Sequence, residues 1–406
     1  MLTRRWRPGL ALLAAAAAMA TGVALPVPAR AAAADGIRDN QQWVLSMLDT
    51  EAAWSVTQGA GVTVAVIDSG VNPDVSDLIG SVTSGPDYTG VRTTSASPNW
   101  GVHGTWMASL IAGHGHDGGL NGVMGIAPAA RILSIRVIPD RSDPHYGQYE
   151  RERETVIQQS LADGISFAVT HGAKVISMSI GYSVQSRTVR AELQQAYDHG
   201  VVVIASAGNS GITSAGRNGE SPESFPANYP GVISVGAVKS NRAVAGFSSD
   251  NLSVQVAAPG VAVPAQGRDG QYWSVSGTSP ACALVAGVAA LIKSQYPGLA
   301  ADLVASALTS TTTDRPPGGY DGKVGFGIVD AAAALARAGR LAGVRPAEVR
   351  MKATAKYRGT LPPEPVAPRG SGQLVLFSLL ALTSLVLTAA AATRLAILRR
   401  ASRRSR

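Results

Sequence analysis

Four short segments carry side chains able to move protons and attack a carbonyl carbon. Val64-Ala65-Val66-Ile67-Asp68-Ser69-Gly70 ends an apolar run on a carboxylate, followed by a turn-forming glycine. His103-Gly104-Thr105 opens a helix of small and apolar residues reaching Ala112. A histidine there can act as base and then as acid near neutral pH. In Ser276-Gly277-Thr278-Ser279-Pro280-Ala281, Ser279 directly precedes a proline. Proline is favoured at the first helical position, so Ser279 is expected as the N-cap of a helix. The positive helix end and the Ser279 backbone N–H would then face a developing oxyanion. Asn209, closing Ala205-Ser206-Ala207-Gly208-Asn209, could donate to the same oxyanion. Each residue has an ordinary alternative when taken singly: a strand-end turn, a turn histidine, a plain cap, a turn asparagine. Together, a carboxylate, a histidine and a serine are the residue types that nucleophilic acyl transfer uses.

Elements able to position them surround these segments. Val62–Ile67, Ile132–Val137, Lys174–Ile180, Val201–Ser206 and Val232–Val238 are apolar, β-branched runs that predict buried parallel strands. Thr155–His171 has apolar residues at helical spacing, and Arg187–His199 is a second amphipathic segment. Pro280–Ile292 is apolar nearly all round, which predicts a central buried helix. Strands alternating with helices predict an α/β fold, a parallel sheet covered by helices on both faces. Such sheets gather ligand groups at the carboxyl ends of their strands.

Further segments share a pattern with the catalytic ones. Gly122-Val123-Met124-Gly125-Ile126-Ala127-Pro128 and Ser177-Met178-Ser179-Ile180-Gly181 lie between the His103 segment and Ala207-Gly208-Asn209. Phe247-Ser248-Ser249, Ala258-Pro259-Gly260 and Gly325-Phe326-Gly327-Ile328-Val329-Asp330 complete the series. In order and spacing, the chain resembles the subtilase family of subtilisin-like serine proteases over about residues 40–340. The resemblance implies a subtilisin-like peptidase domain over residues 32–342 and an acyl-enzyme mechanism. It implies Ser279 as nucleophile, His103 as base and acid, Asp68 as orienter and Asn209 as oxyanion donor. It also implies that Ser179, Ile180 and Gly181 pair with an extended peptide or protein substrate by strand addition. Pro280 and Cys282 depart from the small residues common after the family's serine.

The two ends point to a membrane. Residues 1–31 combine Arg4, Arg5 and Arg7, an apolar stretch from Gly9 to Leu25, and Ala29-Arg30-Ala31. That is the pattern of a cleavable signal peptide. Residues 343–372 are a proline-rich linker, and 373–393 an uncharged apolar segment long enough to cross a bilayer as one transmembrane helix. Residues 394–406 form a basic tail, which the positive-inside rule assigns to the cytoplasm. The expected location is the cell membrane, single-pass, with the catalytic domain outside the cytoplasm. Residues 32–61 leave little room for a separately folded inhibitory pro-domain before the first strand. Signal peptide, short leader, stalk and anchor together resemble the mycosins, membrane-anchored subtilases of type VII secretion. The chain departs from them in cysteine: Cys282 is alone, so no internal disulfide exists. The implied partners are an exported protein substrate and a type VII secretion membrane complex.

Charge and composition exclude other classes. Removing the four arginines of residues 1–31 and the six of residues 394–406 from the formal +8 leaves −2. The basic balance belongs to the ends, and nothing in it argues for nucleic acid. His114-Gly115-His116-Asp117 has the residue types of a metal segment but no distant Cys/His partner motif, and no acidic loop specifies calcium. Neither metal nor cofactor is expected. Cys282 is expected as a small buried hydrophobe, with active-site blockage through its modification as the sharper alternative. Residues 139–154 read as a long polar loop at the cleft rim. Two functions fit these features: an endopeptidase processing exported proteins, or a structural subunit of a secretion complex with dispensable activity.

Overall fold

The computed structural model describes residues 4–5, 36–211 and 220–342. The expected signal segment (Arg4–Arg5 apart), linker, membrane helix and basic tail lie outside these residues. Among the described residues no helix is long and apolar enough to cross a membrane. Chain order begins β1 (Arg4–Arg5), α1 (Ile37–Met47), α2 (Thr50–Trp54), β2 (Thr63–Asp68), β3 (Val82–Asp87) and α3 (Val102–Ala112). A hairpin of β4 (His114–His116) and β5 (Asn121–Met124) precedes β6 (Arg131–Arg136) and α4 (Tyr146–Thr170). Next come β7 (Val175–Met178), α5 (Arg187–Asp198), β8 (Val202–Ser206), β9 (Val232–Val238) and β10 (Val254–Pro259). The series ends with β11 (Val263–Gln266), β12 (Tyr272–Val275), α6 (Thr278–Gln295), α7 (Ala301–Ser310) and α8 (Ala331–Ala342).

Seven strands form one sheet in the order β10-β9-β8-β7-β2-β6-β3, and each neighbouring pair is parallel. Successive side chains of a strand point to opposite faces, so a doubly covered strand must be apolar throughout. Strand β2 shows this. Val64 and Val66 join the core containing α3 and α6, whereas Ala65 and Ile67 join the one containing α4 and α5. From β2 the chain adds β3 and β6 on one side, then crosses to add β7 through β10 on the other. The strand order therefore reverses at β2, where a ligand crevice opens beyond the strands' carboxyl ends. Asp68 is the last residue of β2.

The expected parallel sheet with helices on both faces is present, and five of its seven strands, β2, β6, β7, β8 and β9, fall within two residues of the predicted runs, whereas β3 and β10 match none of those runs. Two expectations need correction. The polar stretch 139–154 is loop only as far as His145, because α4 already starts at Tyr146. Gln148, Glu150 and Arg151 are good helix formers, and Tyr146 and Tyr149 pack from this stretch onto the core. Ser279 is not an N-cap. Helix α6 begins at Thr278, and its cap is Gly277 at φ 153° and ψ 174°, a conformation that favours glycine. Ser279 thus stands inside the first turn. Pro280 still fits, since the N–H it lacks would have no intrahelical acceptor there.

Candidate active site

Three helix and strand ends meet at the crevice. The first is the carboxyl end of β2. Asp68 is buried, and its Oδ1 accepts from the Ser69 N–H and the His103 ring at Nδ1, each at 2.7 Å. Its Oδ2 is buried with no hydrogen-bond partner among the described residues. Among the described residues the carboxylate is therefore met only at Oδ1, by the imidazole and one backbone N–H.

The second is the start of α3, which carries His103. This helix passes so close to β2 that a Cβ on Gly104 would overlap the Gly70 carbonyl oxygen. That contact accounts for glycine directly after the histidine. The Gly104 N–H donates to Ser69 Oγ at 3.0 Å, tying the helix to the residue after Asp68. Burial disfavours charge on the ring, but the Asp68 carboxylate, its hydrogen bond and Asp140 outweigh it, so His103 binds its proton more tightly than usual. A histidine raised in this way stabilises the fold fully below its unfolded value of about 6.5, and this contribution is lost as pH rises through the folded value. The ring meets Trp106 edge-on, with centroids 6.3 Å apart.

The third is the start of α6, buried from Thr278 to Lys293. Ser279 is 5% exposed, enough to reach the crevice. Among the described residues its N–H has no backbone acceptor. The neighbouring loop is laced to this turn. Gly208 N–H donates to Thr278 Oγ1 at 3.2 Å. Thr278 in turn donates to Asn209 Oδ1, from its backbone N–H at 2.9 Å and its hydroxyl at 3.0 Å. Holding the amide by its oxygen leaves Nδ2 as a donor without an acceptor among the described residues, at the exposed edge of the site. Thr278, which fixes this orientation, was not singled out in the sequence. Its signal is the invariant chemistry of a hydroxyl beside a helix start, too common to be noticed alone.

Ser179, Ile180 and Gly181 continue past the end of β7, and Ser179 Oγ donates to the Ser279 carbonyl at 3.2 Å. The segment predicted for substrate thus reaches the helix that carries Ser279. No hydrogen bond joins His103 to Ser279 in this structure, a bond that commonly tightens only with substrate. Cys282 is fully buried one turn further on, with its thiol 3.8 Å from both Ser177 Oγ and the Met178 carbonyl. Burial pushes it up to about 12. Near pH 8 its thiolate fraction is then about 10⁻⁴. The expected outcome is that Ellman's reagent leaves the native protein unmodified over minutes and titrates one thiol per chain in guanidinium. Rapid native labelling with loss of activity would revive blockage through Cys282.

The histidine pair is engaged in protein contacts. His116 Nδ1 lies 2.8 Å from Oδ1 of the fully buried Asp77, and the His114 ring contacts the Gly115 and Ile79 carbonyls. Among the described residues no group of three His, Cys, Asp or Glu could hold a metal ion.

A parallel sheet with an Asp–His pair at its switch point and a serine on a buried helix end defines a serine endopeptidase of the subtilisin type. The subtilase family model matches residues 59–327, and the chain belongs to that family. It is 36% identical to subtilisin DY of Bacillus licheniformis over 276 residues, covering 68% of this chain and 92% of the relative. Thermitase of Thermoactinomyces vulgaris is 32% identical, with coverage of 67% and 88%. Among solved structures, MycP1 from Mycobacterium smegmatis superposes with a TM-score of 0.61 at 31% identity, covering 72% of this chain and 84% of that one. The MycP3 protease from the type VII (ESX-3) secretion system gives 0.62 at 31%, covering 72% and 87%. A chain of the periplasmic assembly from the ESX-5 inner membrane complex gives 0.63 at 28%, covering 73% and 84%.

Proposed function

We propose that this protein is a membrane-anchored, extracytoplasmic endopeptidase that processes exported proteins through Asp68, His103 and Ser279. The observation that carries the reading is the 2.7 Å bond between His103 Nδ1 and Asp68 Oδ1, made at the switch point of the sheet. With Nδ1–H committed to Asp68, the imidazole is held as the tautomer whose Nε2 is a free acceptor. Ser279 Oγ gives its proton to Nε2 as it attacks the scissile carbonyl. The charge that develops on the carbonyl oxygen is met by the Ser279 N–H and Asn209 Nδ2. His103 returns the proton to the leaving amine, and water resolves the acyl-enzyme by the same steps in reverse. Ser179–Gly181 pair with the extended substrate backbone. Residues 1–31 export the domain, and 373–393 hold it at the membrane on the 343–372 stalk.

A fluorophosphonate probe tests the chemistry on the purified full-length protein. Labelling is expected, and Ser279→Ala abolishes it. Labelling that survives the substitution removes Ser279 from the nucleophile's role. Asn209→Ala is expected to lower kcat by about 10²–10³-fold with KM little changed, the size known for the equivalent donor in subtilisin. A change confined to KM would count against an oxyanion role.

Similarity to a chain of the ESX-5 periplasmic assembly favours a second reading, a structural subunit of a secretion complex. The two separate in a strain deleted for the gene. If Ser279→Ala restores secretion as fully as the unaltered chain, the structural role dominates.

A further inference from the structure

Helix α3 begins on Gly101, so its cap position has no side chain to offer its first N–H groups. They are met from outside the helix. Val102 N–H donates to Asp140 Oδ2 at 2.8 Å and His103 N–H donates to Asp140 Oδ1 at 2.9 Å. Asp140 lies beyond β6, in the part of the polar stretch that remains loop, and is 6% exposed. Both of its oxygens are thus spent on the turn that bears the imidazole, one of them on the backbone of His103 itself.

We infer that Asp140 is a positioning residue for His103, clamping its backbone and supplying a second negative charge that stabilises the imidazolium formed during the reaction. The inference rests on His103 being the base of the proposed triad. A cap alone does not call for this arrangement. Serine, threonine or asparagine caps a helix about as well as aspartate, without the cost of burying a charge. The distinguishing property of Asp140 is that charge, held at the end of a helix whose dipole favours it. Its position is itself fixed. Asp143 N–H donates to the Asp140 carbonyl at 2.9 Å, and the Asp143 carboxylate pairs with the buried Arg136. Burial, with a smaller push from Asp68, raises the Asp140 carboxyl above the ordinary carboxylate value, against the pull of the two N–H donors and of His103.

The charged groups acting on His103 are Asp68 from β2, and Asp140 and Arg141 from the loop after β6. Arg268, between β11 and β12, acts on Asp140 in turn. The first turn of α6 carries no charge. Both carboxylates favour the protonated ring and Arg141 opposes it. Removing one carboxylate must lower the proton affinity of His103, and with it the pH at which the neutral base forms.

Asp140→Asn tests this, because it keeps the shape and one acceptor but loses the charge. The acid limb of kcat/KM is expected to move to lower pH by about half a unit or more, while the plateau of kcat falls by up to about tenfold. Histidine-selective carbon-13 labelling of the full-length chain reads the ring directly, since only six histidines are present. The His103 midpoint should fall in parallel. Asp140→Ser, a neutral side chain that can still cap, should reproduce the shift if the asparagine variant folds poorly. Reduced activity or thermal stability with an unmoved His103 midpoint in both variants would overturn the inference. A lowered midpoint with an unmoved activity profile would leave the coupling standing and instead remove His103 from the role of base.

Discussion

Ser279→Ala is expected to lower kcat on a cleavable peptide about 10⁶-fold, the magnitude known for loss of the serine in subtilisin, while the melting temperature stays within about a degree of the unaltered protein. The separation of the two effects follows from local geometry. Ser279 Oγ makes no hydrogen bond among the described residues, so its removal breaks nothing that holds α6. The bonds that secure this turn run through Thr278 to Asn209 and through Ser179 to the Ser279 carbonyl, and alanine preserves them all. The Asn209 amide and the residue 279 N–H therefore remain in place and should leave roughly 10³–10⁴-fold acceleration over water. His103→Ala should cost about as much as Ser279→Ala, and the double variant scarcely more, because base and nucleophile act as one unit. Additive losses in the double variant would mean that the two residues serve separate steps, contrary to the proposed mechanism. Steady-state hydrolysis with protein purified to exclude contaminating proteases decides between these outcomes.

The parts of this site that are local in sequence were legible, and those that depend on distant partners were not. Strands β2, β8 and β9 announce themselves because a doubly covered parallel strand must be apolar at each position. Strand β3, Val82-Thr-Ser-Gly-Pro-Asp87, does not. It lies at the sheet edge, is half-exposed, and contains a proline such as edges tolerate. The start of α6 was misplaced because proline's preference for the first helical turn spans more than one position, and Gly277 could supply an entry that no side chain advertises. Asp140 had no local signal at all. It closes a helix that begins 38 residues earlier in the chain, and only the packing of α3 against the end of β6 brings the two together. Asp68, His103, Ser279 and Asn209 were visible as types at strand and helix ends. What joins them, Thr278 beneath the amide and Asp140 behind the histidine, required the fold.

Arg136→Ala is expected to destabilise the protein by about 3–5 kcal/mol, a fall in melting temperature on the order of 10 °C. Arg136 ends β6 directly beside Asp68 in the ladder and is 1% exposed. Its guanidinium lies 2.6 Å from the half-exposed Asp87 carboxylate and 3.1 Å from that of the fully buried Asp143. Its Nε donates to the Ser69 carbonyl at 3.2 Å. Truncation would leave Asp143 charged and buried without its cation, which costs far more than the pair itself contributes. The same argument makes a second variant informative. Arg136→Met combined with Asp143→Leu removes both charges and fills the space with apolar volume, and should recover most of the lost stability. Catalysis should not recover with it. The bond to Ser69 holds the residue between Asp68 and the glycine turn, and Asp143 braces the loop that presents Asp140. Displacing either by even an ångström at the His103 ring can cost up to about 10²-fold in kcat. The double variant should thus be stable but slow, with an acid limb shifted as in Asp140→Asn. Denaturant titration and the pH dependence of kcat/KM, measured on the same preparation, separate the two contributions. A stable double variant with full activity would show that the arginine serves the fold alone.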